Sequence, residues 1–194
     1  MTELLVVRHG QSTWNAEQRW AGWADPPLSD EGRATAASFA ETLADTGITA
    51  VVTSNLLRAL QTGEVVAARL GLPPPARDPG LREIDVGAWT GKTTEEIEAE
   101  WPGWLERWRK GEILDPPGGE NRDEFDERVI AALVRVGTTS PVRSLVVTHS
   151  GNVRALCRYL GRPAGAVGNL DAMWATVTGG ALVGSGPDQY CSAG

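Results

Sequence analysis

Leu4-Leu5-Val6-Val7-Arg8-His9-Gly10 and Ser144-Leu145-Val146-Val147-Thr148-His149-Ser150-Gly151 are the two stretches on which the fold turns. Each is a short Leu/Val run that closes on a polar residue, a histidine and, within two positions, a glycine. Such runs read as strands buried on both faces of a parallel sheet, and open α/β sheets place their ligand sites at the carboxyl ends of these strands. The chain has no other histidine. A single histidine at a strand end is as well explained by a carbonyl that satisfies it as by chemistry. Two in matching contexts favour one shared crevice, provided that the two strands are neighbours.

The segments between them support a sheet wrapped by helices. Ser29 precedes Asp30, Glu31 and an Ala-rich stretch to Ala44, with Gly47 beyond, which is a helix with an N-cap, an acidic first turn and a glycine stop. Ala50 to Thr53 reads as a second strand, and Leu56 to Leu70 as a helix ending at Gly71. Strand and helix alternating at this spacing argue for parallel strands. After Pro73-Pro74-Pro75 the pattern weakens, and Leu81-Arg82-Glu83-Ile84-Asp85-Val86-Gly87 reads as an irregular strand or loop. Thr93 with Glu96 fits a capping box for a helix from Thr94 to Lys110, broken or bent at Pro102-Gly103. A helix from Asn121 to Val136, the second His strand, a helix from Gly151 to Leu160 and a last strand at Met173 to Val177 complete the order. The expected fold class is α/β: a three-layer α/β/α sandwich, its central sheet mostly parallel. It forms a single domain, 1–194, with a small helical insertion at about 88–120 over the carboxyl edge and a loose Gly/Ser-rich tail at 184–194.

Lys+Arg total 18 against 25 Asp+Glu, a net charge of −7, which disfavours nucleic acid or anionic membrane as a partner through any diffuse basic surface. An anionic ligand would need locally clustered arginines. Met1-Thr2-Glu3 leads directly into the first run with no basic leader, and no apolar stretch is long enough to span a bilayer, so the expected location is cytoplasmic. Cys157 and Cys191 are too few for a disulfide framework, and no cluster suggests a metal or another cofactor. Cys157 falls in the apolar stripe of its helix and reads as a packed thiol.

Arg8-His9-Gly10 sets a guanidinium, an imidazole and a permissive backbone side by side. A neutral imidazole nitrogen can attack phosphorus while guanidinium donors hold the equatorial oxygens. Arg58, at the opening of the helix after strand two, offers a second guanidinium near free backbone amides. Alone it would read as an exposed helical arginine; paired with Arg8 it reads as phosphate-handling.

The chain resembles the histidine phosphatase superfamily in its phosphoglycerate-mutase-like branch, branch 1. The resemblance is carried by Arg8-His9-Gly10-Gln11-Ser12-Thr13-Trp14-Asn15, Gly22 to Gly32, Ser54 to Thr62, Leu81 to Gly87 and Thr148-His149-Ser150-Gly151, in order from residue 4 to about 160. It implies that His9 is the nucleophile that becomes a phosphohistidine, with Arg8, Arg58 and His149 around the transferring phosphoryl group. It further implies that Asn15, Ala21, Gly22, Ser150 and Gly151 lie along the same pocket, and that Glu83 donates a proton to the leaving oxygen and then acts as base for water. Beside cations a carboxyl normally ionises, so that role calls for partial burial. No divalent metal is needed, since the arginines and His149 supply the positive charge. The chain departs from the family at Ser150, where glycine is common, at Asn152, where a branched apolar residue is common, and at Gly63, usually alanine.

The resemblance leaves the reaction open between two outcomes, and the covering segments distinguish them. Mutases of this branch carry a longer excursion after the tryptophan-containing insertion and an extended tail. Here Trp108-Arg109-Lys110-Gly111 passes within a few residues to Pro116-Pro117-Gly118-Gly119-Glu120, and the tail is short. The expected activity is therefore a metal-independent phosphatase acting on a small phosphorylated metabolite. A 2,3-bisphosphoglycerate-dependent phosphoglycerate mutase is the alternative, and a non-catalytic phosphate-binding protein comes third. Arg109-Lys110 falls where mutases of the family hold the substrate carboxylate, but it also suits the basic last turn of a helix. Trp101, Trp104 and Trp108 share a helical spacing that reads as packing, with Trp89 a further candidate for a pocket wall. By analogy with relatives a homodimer through an edge strand is admissible, although no residue pattern requires one.

Overall fold

The computed structural model describes residues 1–140 and 143–184. In chain order the elements are β1 (Thr2–Arg8), α1 (Thr13–Ala16), α2 (Asp30–Thr42), β2 (Ala50–Thr53), α3 (Leu57–Leu70), β3 (Ala76–Arg77), α4 (Thr94–Glu100), α5 (Trp104–Lys110), α6 (Arg122–Thr139), β4 (Arg143–Thr148), α7 (Ser150–Tyr159), β5 (Ala172–Thr178) and β6 (Ala181–Gly184). Short 3₁₀ turns at Pro79–Leu81 and Gly87–Trp89 frame the irregular stretch between β3 and α4. The strands form one sheet in the order β3-β2-β4-β1-β5-β6. The first four are parallel, and β5 and β6 run antiparallel to their neighbours.

Alternation along the central strands divides the core. Leu4, Val6, Val52 and Val146 face one way, into a cluster with Phe125, Val129 and Leu133 of α6 and Val153 and Leu156 of α7. Leu5, Val7, Val51, Leu145 and Val147 face the other way, onto Phe39 and Ala40 of α2 and Ala59 and Val66 of α3. A strand with both faces buried must read as a continuous apolar run, which is why β1 and β4 do so. The result is an α/β/α sandwich with a helix pair on each side.

The register of β1 on β4 decides what happens at the carboxyl edge. Leu4 pairs with Ser144 and Arg8 with Thr148, so both strands end level and His9 and His149 leave the sheet together. The His9 amide extends the ladder by donating to the Thr148 carbonyl at 2.9 Å. β2 lies on the other side of β4, and the Ser54 amide bonds Val147 O at 2.9 Å, so α3 and Arg58 start at the same edge. β5 is antiparallel, with Ala172 beside Val7, and therefore the loop before it also reaches this edge.

Most expected boundaries fall within a few residues of the observed ones. The Thr93–Glu96 capping box is present, and the insertion breaks at Pro102-Gly103 into α4 and α5, with Gly103 in the left-handed region at φ 75°. That break corrects the tryptophan stripe: Trp101 caps α4, so Trp101, Trp104 and Trp108 do not share one helix, although all three pack on the core. Three elements went unread. β3 has only two exposed residues and α1 is a single turn, so neither carries a period. Met173–Val177 is not the last strand, because Ala181–Gly184 pairs with it as β6 through a Gly179-Gly180 turn. The remainder of the tail expected to be loose lies outside the described residues.

Candidate active site

The edge shared by β1, β4 and α3 forms the floor of a cavity of about 830 Å³. His9 is 3% exposed and both its ring nitrogens are engaged. Arg58 Nε donates to Nε2 at 3.1 Å, and Nδ1 lies 2.6 Å from the Gly10 carbonyl. An arginine cannot accept, so Nε2 carries the lone pair and Nδ1 carries the proton. Burial, then the charges of Arg58 and Arg8, hold the imidazole well below its ordinary value of 6.5, against the opposing bond to Gly10. The ring is neutral at pH 7 with its basic nitrogen turned to the guanidinium.

Arg58 is 2% exposed. Its other two nitrogens donate to Ala24 O at 2.8 Å and Gly22 O at 2.9 Å, which ties the turn at Ala21–Ala24 over the site. That turn needs a glycine: Gly22 sits at φ +48°, and a Cβ there would lie 2.7 Å from Val86 Cγ2. Burial lowers the Arg58 pKa to about 10, which leaves the guanidinium charged at neutral pH. Arg8 donates to Val167 O at 2.7 Å, while its Nε has no partner among the described residues. Burial lowers its pKa as well.

His149 is fully buried, with its ring centroid 5.1 Å from that of His9, edge-on at 66°. Neither of its nitrogens has a hydrogen-bond partner among the described residues. It stands behind His9 rather than on the cavity wall, and burial together with Arg58, His9 and Arg8 keeps it well below 6.5. Held neutral, it does not supply the positive charge that the sequence reading expected of it.

Glu83 reaches the cavity from the irregular stretch. Its Oε2 accepts from the Gly151 amide at 3.2 Å and Ser150 Oγ at 3.3 Å, and its Oε1 from the Ile84 amide at 3.0 Å. The first turn of α7, which begins directly after His149, therefore faces this carboxylate. Gly151 is required by that approach, since a Cβ there would lie 2.1 Å from Glu83 Oε1. The two departures in this turn both serve the same segment: Ser150 bonds the carboxylate, while Asn152 Nδ2 donates to Leu81 O at 3.0 Å beside Thr148 Oγ1 at 2.9 Å. Gly63 has a separate reason, because a Cβ would come 2.4 Å from Thr53 Cγ2.

Asn15, Ala21, Gly22, Ser150 and Gly151 all line the cavity, as do Arg109 and Lys110. Asn15 Oδ1 accepts from the Ser12 amide at 3.1 Å in a capping box of α1. Trp89 does not form the wall. It is fully buried behind Trp20 and Trp108, at 5.9 and 5.6 Å between ring centroids, and those two line the cavity instead. Two groups at the site carried no sequence signal. Asn169 Nδ2 donates to His9 O at 2.9 Å and to Asn15 Oδ1 at 3.4 Å, from a loop in which Leu170 adopts φ 63°. Arg128 of α6 spans the Gly80, Arg82 and Glu83 carbonyls at 3.0, 3.1 and 3.4 Å. It is held in turn by both Glu120 oxygens at 2.8 and 2.7 Å.

A neutral nucleophilic nitrogen, two guanidiniums and a half-buried carboxylate around one cavity suit transfer of a phosphoryl group. Residues 4–179 match the model of the histidine phosphatase superfamily (branch 1). A glucosyl-3-phosphoglycerate phosphatase of Mycolicibacterium vanbaalenii is 35% identical over 193 residues, covering 91% of this chain and 84% of that protein. A 2,3-bisphosphoglycerate-dependent phosphoglycerate mutase of Methylobacterium radiotolerans is 34% identical over 165 residues, covering 81% and 78%. Among solved structures, a mycobacterial glucosyl-3-phosphoglycerate phosphatase complexed with VO3 superposes with a TM-score of 0.82 at 30% identity, covering 91% of each chain. Among the described residues no helix is long and apolar enough to cross a membrane.

Proposed function

Because the chain belongs to the histidine phosphatase superfamily, branch 1, we propose that it hydrolyses a small phosphomonoester through a phosphohistidine on His9, without a metal ion. The observation that carries this reading is the pair of bonds on the His9 ring, which leaves Nε2 unprotonated beside a guanidinium. In the first step Nε2 attacks phosphorus and the bond to the leaving oxygen breaks. Arg8 and Arg58 hold the equatorial oxygens, with His149 behind His9, and the Glu83 carboxyl gives its proton to the departing oxygen. In the second step Glu83 takes a proton from water, whose oxygen attacks phosphorus as the P–N bond breaks. Phosphate leaves, and both His9 and Glu83 regain their starting states.

Hydrolysis is favoured over isomerisation by the wall of the cavity. Arg109, Lys110 and Arg158 line it and are themselves exposed, so its outer end meets solvent. Only 11 residues, 111–121, join α5 to α6. The phosphatase among the relatives also aligns over more of this chain than the mutase does. One observation favours the mutase: Arg109 and Lys110 do line the cavity, where they can meet a substrate carboxylate.

The test is phosphate release from a panel of phosphorylated metabolites with EDTA present, beside a His9→Ala control and a mutase assay primed with 2,3-bisphosphoglycerate. Release that survives EDTA and vanishes with His9 supports the phosphatase. Isomerisation without release supports the mutase, and strict magnesium dependence contradicts both. Vanadate, a five-coordinate phosphorus mimic, is expected to inhibit.

A further inference from the structure

We infer that Asn169 and Thr62 are positioning residues for the His9 imidazole: between them they clamp the His9–Gly10 peptide, and through it they hold the Gly10 carbonyl against Nδ1. The inference rests on the reading of His9 as phosphoryl acceptor for its kinetic consequence alone.

The bond from His9 Nδ1 to Gly10 O, at 2.6 Å, joins neighbours in the chain, so its geometry is set by the backbone torsions on either side of the peptide between them. Both polar groups of that peptide are held from outside β1. Its carbonyl, His9 O, accepts from Asn169 Nδ2 at 2.9 Å, and its N–H, that of Gly10, donates to Thr62 Oγ1 at 3.1 Å. Thr62 is fully buried and gives its one hydroxyl proton to Arg58 O at 2.7 Å, so a lone pair faces the Gly10 amide. It stands one turn after Arg58 on α3. One helix therefore sets both ring nitrogens, Nε2 through the Arg58 guanidinium and Nδ1 through the Gly10 peptide. Thr62 does not line the cavity, so any effect it has on the reaction passes through another group.

Asn169 arrives from the opposite side. The loop before β5 continues the pairing past the end of β1: Arg8 N donates to Asp171 O and Leu170 N to Arg8 O, both at 3.0 Å. Leu170 is 3% exposed and adopts φ 63°, one of two non-glycine residues with positive φ among the described residues. A left-handed leucine is strained and persists only where its surroundings over-determine it. The turn from Gly168 to Asp171 does so, with Gly168 N bonded to Asp171 Oδ2 at 2.5 Å and Asp171 N to Gly168 O at 3.3 Å. That turn brings the Asn169 side chain to the His9 carbonyl. The same Nδ2 reaches Asn15 Oδ1 at 3.4 Å, an oxygen that the Ser12 amide already engages at 3.1 Å. Two donors on that oxygen leave the Asn15 nitrogen as the atom available to a ligand in the cavity.

The test reads the ring directly. With only two histidines in the chain, the Nδ1–H resonance of His9 in protein carrying ¹⁵N-labelled histidine is assigned by its loss in His9→Gln. Asn169→Ala and Thr62→Val are each expected to speed exchange of that proton with water by ~10-fold or more, relative to the core amides of β4, whereas Thr62→Ser, which keeps the hydroxyl, stays close to wild type. In parallel, kcat/KM on p-nitrophenyl phosphate is expected to fall ~10-fold in the first two variants and to recover in Thr62→Ser. Alkyl esters should lose the same factor, because Glu83 is untouched. Should Thr62→Val fail to fold, Asn169→Ala carries the same test from a half-buried loop position. An unchanged Nδ1–H resonance overturns the clamp, whatever happens to turnover. Faster exchange with unchanged kcat/KM overturns its part in the reaction. If the wild type itself releases no phosphate, the reading of His9 as phosphoryl acceptor falls, and the exchange result alone still decides the clamp.

Discussion

Arg58 Nε sits 3.1 Å from His9 Nε2, and this one contact both assigns the tautomer of the imidazole and carries a positive charge to where phosphoryl oxygens would gather. The same guanidinium holds the Gly22 and Ala24 carbonyls, so the nucleophile and the turn above it share an anchor.

Arg58→Lys keeps the charge and loses the fork. Removing a preorganised donor of developing negative charge typically costs about 10²- to 10³-fold in kcat, and a loss of that size is expected on p-nitrophenyl phosphate. A melting curve should also shift downwards, because the Gly22 and Ala24 carbonyls, buried and partly buried, lose their partner. Wild-type turnover in this variant would remove Arg58 from the reaction.

The two histidines make stability depend on pH with a definite sign. Both have folded-state pKa values well below 6.5, so between that value and the folded values the unfolded chain binds more protons. Their contribution is complete above about pH 6.5 and declines as pH falls towards the folded values, with a slope of up to about 2.7 kcal/mol per pH unit for two groups. Urea unfolding at pH 7, 6 and 5 measures it, and a His9→Gln/His149→Gln variant should show a shallower slope. For the same reason kcat/KM should show no acid limb centred at 6.5.

Gly151→Ala is expected to separate chemistry from folding. The new methyl would lie 2.1 Å from Glu83 Oε1 and 3.1 Å from Phe125 Cζ, so the carboxylate must move. In kcat/KM, which reports formation of the phosphohistidine, esters with poor leaving groups should lose about 10²- to 10⁴-fold, the range of general acid catalysis, while activated aryl phosphates lose much less. Gly63→Ala is the contrast: its clash with Thr53 is remote from the cavity, and overpacking there should cost about 1–3 kcal/mol of stability with little change in kcat.

Arg128→Met unfastens the segment that carries Glu83. Three carbonyls lose a donor and Glu120 loses its bidentate partner, which for a largely buried pair costs on the order of 3 kcal/mol. A fall in kcat/KM on alkyl esters that exceeds the fall on aryl phosphates would mark Arg128 as a positioning residue for Glu83. Parallel losses would make it structural only.

What could be read in the sequence follows from what leaves a period or a motif. β1 and β4 are buried on both faces and had to be apolar runs, so His9 and His149 could be placed at one edge before any coordinates. The caps at Ser29, Thr93 and Gly71 were legible because each answers a local backbone need. Asn169 and Arg128 were not, since they arrive through tertiary contacts from a loop and from a helix face that resemble any other. β6 was missed because four residues with one buried position carry no alternation. Ser150 and Asn152 were legible only as departures; their bonds to Glu83 and Leu81 explain them.

The most direct test of the central claim uses Glu83→Gln with p-nitrophenyl phosphate. An activated leaving group needs no proton, but water still needs the base, so phosphohistidine should form normally and break down slowly. The account predicts a burst of p-nitrophenol stoichiometric with enzyme, and an acid-labile phosphate on the peptide containing His9 that is absent after His9→Ala. Continued turnover with neither a burst nor a label on that peptide would contradict it.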